Sequence, residues 1–152
     1  MSAQSSGSPL SVSTYTDGIG AGTSNALLLV ARLLIASLFF LTAWGGSPNA
    51  GYLKSLGVPN PELLSWIAIV VEYIVVLSLV LGVATRYGVL LGILYVIIAT
   101  ALAHRYWEFP QPQQLAQYTN FTKNLAIAGG LLLLLVSGSG RFAVDHLMSK
   151  KR

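Results

Sequence analysis

Residues 63–83 read LLSWIAIVVEYIVVLSLVLGV, a stretch in which Glu72 is the one charged side chain. A helix of that length rises about 30 Å, the hydrocarbon thickness of a bilayer. It has no polar face to present to water, so lipid is its natural surround. Just upstream, Asn60-Pro61-Glu62 supplies a cap residue, a first-turn proline and an acid where a helix begins. Three more apolar segments follow the same rule, at residues 26–44, 87–103 and 117–137. The first is entered through Ser24 and Asn25 as N-caps. The last has a pure apolar run only over residues 125–136, so its helix must recruit turns from between Leu115 and Lys123. It is closed by Ser137-Gly138-Ser139-Gly140. The prediction is an all-α integral membrane four-helix bundle with both termini on the same side.

Composition agrees. Of 152 residues, 54% are hydrophobic and 9% charged, against roughly 25% charged in an average soluble domain. That excludes a disordered chain and leaves too few charged side chains to cover a water-soluble globular domain. With no cysteine, the chain itself carries no disulfide, thiolate-bound zinc, iron–sulfur cluster or dithiol centre. The nine basic residues are too few and scattered to track a phosphate backbone, so nucleic acid is not an expected partner. Lys150, Lys151 and Arg152 instead suit a membrane surface. Residues 1–25, rich in Ser, Gly and Thr and without Lys or Arg, are expected as a disordered tail. They lack the basic start of a secretory signal. Residues 26–140 form the membrane domain, and residues 141–152 a basic tail.

Positive charges orient the bundle. The termini side carries Arg86, Arg141, Lys150, Lys151 and Arg152, and the far side Lys54, Arg105 and Lys123. That balance puts both termini in the cytoplasm. The connection Ala84-Thr85-Arg86 makes helices two and three an antiparallel hairpin. The longer first and third connections meet on the far side. The third reads His104-Arg105-Tyr106-Trp107-Glu108-Phe109-Pro110, and its aromatics fit an interfacial belt.

Charges inside a bilayer suggest function by default. Arg32 lies about two turns inside helix one, roughly 10 Å deep, and Glu72 roughly 16 Å from the same side. If their helices are neighbours the two can pair, and a guanidinium offers a carboxylate two parallel hydrogen bonds. Lys123, about 12 Å from the far side, and Asn124 approach the level of Glu72. The expected ligand site is therefore Arg32, Glu72, Lys123 and Asn124, with His104 and Arg105, beside Glu108, at the far-side mouth. Three readings stay open for this cluster: an ion-pair network that fixes helix register, a ligand site, or a proton pathway. A quinone or phenol would suit it, with donors for its oxygens and apolar helices for its ring. His104, at a helix end, is either a cap or a ligand. Haem and metal lack the paired histidines or ligand set they need. Gly88 and Gly92, like Gly129-Gly130, let helices approach closely, within the bundle or between copies.

The chain resembles the DoxX family of small membrane proteins. The resemblance rests on Ala31-Arg32-Leu33-Leu34, Gly51-Tyr52-Leu53 with Leu56-Gly57-Val58-Pro59, Val71-Glu72 and Gly82-Val83-Ala84-Thr85-Arg86. It continues through Ala103-His104-Arg105-Tyr106-Trp107, Lys123-Asn124-Leu125-Ala126 with Gly129-Gly130, and Gly138-Ser139-Gly140-Arg141-Phe142. The resemblance runs over residues 31–145. It implies a four-helix membrane protein associated with redox work: thiosulfate:quinone oxidoreduction, terminal quinol oxidases, quinone or catechol stress, and oxidative-stress complexes. Where members often carry a Gly-Lys pair after helix one, this chain has Gly45-Gly46, and so does without that lysine.

Two functions are expected. The first is a quinone-linked oxidoreductase component, a subunit rather than a complete enzyme because the chain brings no cofactor ligands of its own. The alternative is a non-catalytic scaffold or assembly subunit of a respiratory or oxidative-stress complex, with the charges locking the bundle. A small transporter is a third option, with Glu72 as its one hint. Lipid and a protein partner or second copy are the expected partners, with quinone as the candidate ligand.

Overall fold

A computed structural model describes residues 20–45 and 49–149. Most of the expected N-terminal tail, Gly46, and Lys150, Lys151 and Arg152 lie outside the described residues. Four long helices carry the fold: α1 (Ala21–Trp44), α3 (Pro61–Leu81), α4 (Thr85–Ala103) and α5 (Gln111–Ser137). Each is long and apolar enough to cross a membrane. Between them lie α2 (Ala50–Ser55) and a 3-10 turn (Tyr106–Glu108), and α6 (Val144–Ser149) follows. Among the described residues there is no strand.

The helices pack as a ring, α1 on α3, α3 on α4 and α4 on α5, with a lighter contact from α5 back to α1. Ala36, Phe39, Val75, Leu79, Val89, Val96 and Leu131 fill the centre. Large apolar residues such as Leu34, Leu77, Ile97 and Leu133 point outward on all four helices, as lipid contact requires. Glycines set the close approaches within the bundle. A Cβ on Gly88 would run into Ser78 of α3, and one on Gly92 would press on Leu131 of α5 at 3.3 Å and Val75 of α3 at 3.4 Å.

Several boundaries differ from the sequence expectation, each for a physical reason. Helix α1 begins at Ala21, so residues 21–25 are helical rather than tail, and Ser24 lies inside the helix instead of capping it. Pro61 opens α3 as expected, but Asn60 is left-handed (φ 48°) and its side chain makes no cap bond. Helix α3 stops at Leu81 because Gly82 turns left-handed (φ 67°). The hairpin connection is thus Gly82-Val83-Ala84, two residues before the expected Ala84-Thr85-Arg86. Helix α5 starts at Gln111, directly after Pro110, and so recruits more polar turns than expected.

The segment after α5 is docked under the hairpin. The Asp145 carboxylate accepts the backbone N–H groups of Ala84 (2.8 Å) and Thr85 (2.9 Å), and its own N–H donates to Gly82 O (2.9 Å). The α4 N-terminus, whose cap position carries no capping side chain of its own, is therefore capped from the far end of the chain. Gly82 permits this approach, since a Cβ there would sit 2.5 Å from that of Ala143. Burial works against the Asp145 carboxylate. The N–H groups of Thr85 and Ala84, with the Arg32 charge nearby, outweigh it and hold the acid below its ordinary range.

Candidate functional site

Arg32 is completely buried and does not pair with Glu72. Its Nε donates to Leu79 O (2.8 Å) and Nη2 to Val80 O (3.1 Å). Its Nη1 donates to Ser139 O (2.6 Å) and Phe142 O (3.0 Å). The first two are orphan carbonyls in the last turn of α3, where the helix dipole is negative. The guanidinium fork thus ties α1, the end of α3 and the segment after α5 together. The expected Arg32–Glu72 ion pair fails for a reason of depth. Arg32 is the twelfth residue of α1 and bonds the last turn of α3, so it stands level with the α3 terminus. Glu72 lies seven residues before Leu79 along α3, about 10 Å deeper.

Glu72 has different partners. The Tyr95 hydroxyl donates to its Oε1 at 2.7 Å, and Thr42 Oγ1 lies 2.9 Å from the same oxygen. Glu72 is buried, yet its Oε2 is shielded and has no hydrogen-bond partner among the described residues. Phe39 lies against the Tyr95 ring, centroids 6.1 Å apart. Thr42 itself is exposed on the outer surface of α1. The carboxyl group therefore sits one side chain in from the lipid-facing surface, at the seam of α1, α3 and α4.

Sequence reading does not single out Tyr95 or Thr42, since a neutral Tyr or Thr within an apolar helix carries no charge to mark it. Hairpin counting could have found Tyr95. Glu72 lies eleven residues before Val83, and Tyr95 eleven after Ala84, so an antiparallel hairpin places them level.

The other expected site residues do not join this centre. Asn124 donates from Nδ2 to Thr100 Oγ1 (2.9 Å), bridging α5 to α4. Lys123 projects from the outside of α5 and donates to Asn120 Oδ1 (3.1 Å). Arg105 pairs with Glu108 at 3.1 Å. His104 ends α4, with Nδ1 2.8 Å from Gln117 Oε1. Gln117 Nε2 donates to the Tyr52 hydroxyl (3.1 Å), which donates to Ala103 O (2.7 Å). That chain has one consistent direction. A carbonyl only accepts, so Tyr52 donates to Ala103 and accepts from Gln117, and the amide oxygen faces a protonated Nδ1. Burial pushes the Tyr52 phenol above its ordinary range, against the pull of the Gln117 amide. Tyr106 and Trp107 of the 3-10 turn stack edge-on against one another and on Phe121, beside Tyr118.

Four apolar spans packed as a ring define a polytopic helical membrane protein. Residues 27–105 match the DoxX family. The chain is 34% identical to inner membrane protein YphA of Escherichia coli over 124 residues, covering 79% of this chain and 89% of that protein. It is 33% identical to inner membrane protein YqjF of the same organism over 131 residues, covering 82% and 93%. No solved structure matches it. The chain belongs to the DoxX family.

Proposed function

We propose that this protein is a redox-associated component of a bacterial inner membrane that binds a quinone or phenol at Glu72. One observation carries the reading: the Glu72 carboxyl group is buried at mid-span with one oxygen held by Tyr95 and Thr42 and the other without a partner among the described residues. A quinone carbonyl needs a donor and a hydroquinone hydroxyl needs an acceptor, and a carboxyl group serves either. The ring and tail of such a ligand suit the apolar seam beside Phe39. The exposed Thr42 marks a route in from lipid. The names of the Escherichia coli relatives support the same membrane for this chain.

The test is gentle purification of the full chain in detergent, with quinone analysis before and after incubation with a short-chain quinone. Stoichiometric quinone in wild type, lost in Glu72→Leu and Tyr95→Phe variants that still fold, is the expected result. No bound quinone in wild type, or equal binding in Glu72→Leu, overturns the reading.

A second reading, a non-catalytic scaffold or assembly subunit, is favoured by Arg32, whose hydrogen bonds go to backbone carbonyls of two segments, the end of α3 and the segment after α5. Lys123 on the outer face of α5 suits a protein neighbour with a carboxylate at that depth. A stoichiometric copurifying protein without a small ligand identifies this alternative.

A further inference from the structure

The termini end of the bundle carries two adjoining grooves, of about 310 and 360 Å³, that share Asn25, Arg141 and His146. We propose that they form a binding site for the phosphate group of an anionic phospholipid in the surrounding leaflet. This inference is independent of the Glu72 reading.

The donors are uncommitted. The Arg141 side chain is exposed and has no hydrogen-bond or ion-pair partner among the described residues, although its backbone N–H is fixed by Asn25 Oδ1 at 2.6 Å. His146 Nε2 is shielded from solvent and has no partner either. A guanidinium and an imidazole on one groove match the oxygens of a phosphate, which a guanidinium binds through two parallel hydrogen bonds. Asp145 also lines the first groove, but each of its oxygens already accepts a backbone N–H, from Ala84 and from Thr85. Its charge is thus drawn inward, toward the hairpin and Arg32.

The second groove says which phosphate. Phe142 and Leu147 line it beside Arg141 and His146. Both are largely exposed, 56% and 61%. Free phosphate has no use for an apolar wall, whereas a phospholipid sets its glycerol and first methylenes beside its phosphate. The site follows directly on the last turn of α5, at the depth where headgroups lie. The Arg141 charge favours a lipid of net negative charge, while Arg86, exposed at the same end, lies outside both grooves.

The experiment uses the full chain in detergent, with native mass spectrometry and thermal unfolding in phosphatidylglycerol, phosphatidylcholine or millimolar inorganic phosphate. Wild type is expected to retain phosphatidylglycerol in preference to phosphatidylcholine and to unfold at higher temperature with it. Arg141→Gln with His146→Gln is expected to lower the bound fraction about tenfold, the loss of one charge-assisted contact or more. Arg86→Gln, outside the grooves, is expected to leave binding unchanged. Arg141→Gln alone, a side chain that holds nothing else, keeps the test decisive should the His146 change unsettle the segment. Equal retention of phosphatidylcholine, undiminished binding in the groove variants, or equal loss in Arg86→Gln overturns the proposal. A rise in unfolding temperature as large with inorganic phosphate, abolished in the groove variants, assigns the groove to free phosphate and overturns the lipid.

Discussion

Arg32 and Glu72 show what a residue can and cannot announce about itself. Both are charged and both lie in apolar helices, and pairing them is the economical guess. The structure separates them. Arg32 serves as a multiple cap, filling orphan carbonyls that lipid could not satisfy. Glu72 keeps one oxygen in reserve. Removing the guanidinium strands several buried carbonyls at about 1–3 kcal/mol each, so Arg32→Gln is expected to destabilise the protein by more than about 3 kcal/mol. Glu72→Gln keeps an oxygen for Tyr95 and is expected to be much milder. Because the two side chains share no partner, the double variant should show the sum of the single effects within about 0.5 kcal/mol. Unfolding of the four proteins in detergent measures this. A rescue of Arg32→Gln by Glu72→Gln would mean that the charges pair after all.

At the scale of elements, the docked C-terminal segment makes a pH prediction. Asp145 caps α4, and its acid is held below the ordinary range in the folded protein. The unfolded chain therefore binds its proton more readily than the folded one. The stabilisation is full above the unfolded value, about 3.9, and fades as pH falls through the lower folded value. Hydrogen exchange over residues 141–149 should show protection at about pH 6 that falls away below about pH 4. Asp145→Asn should show weak protection at both. Protection that is flat with pH in wild type would remove Asp145 as the latch. None of this docking was legible in sequence, where residues 141–152 read as a basic tail. A lone Asp in a short polar stretch has no periodicity, and its partners are backbone N–H groups, which every residue shares. The four spans were legible because lipid admits few alternatives to a long apolar helix. The start of α1 was not, since the Ala, Gly, Thr and Ser before residue 26 suit a tail and a helix end alike. The partners of Glu72 were legible only in part: hairpin arithmetic reaches Tyr95, but nothing in the sequence of α1 selects Thr42.

At the scale of the whole molecule, the fold sharpens the charge argument for orientation. Lys123 is the thirteenth residue of α5 and lies within the span, so it leaves the far-side count. Arg105 is paired with Glu108 on that side. Among the described residues Lys54, at the end of α2, is then the far-side cation beyond the spans without a partner. The termini side keeps Arg86, Arg141, Lys150, Lys151 and Arg152. Since basic residues near span ends set orientation, the termini are expected in the cytoplasm and α2 with the 3-10 turn on the outer side. The chain has no cysteine, which makes the test clean. Ser55→Cys reports the far side and Ser149→Cys the termini side, and both positions are exposed. A membrane-impermeant maleimide applied to spheroplasts should label Ser55→Cys at once and Ser149→Cys only after lysis. The reverse pattern would put the proposed phosphate grooves in the outer leaflet of that membrane. It would also place the His104–Gln117–Tyr52 chain on the cytoplasmic side, while leaving the depth of Glu72 unchanged.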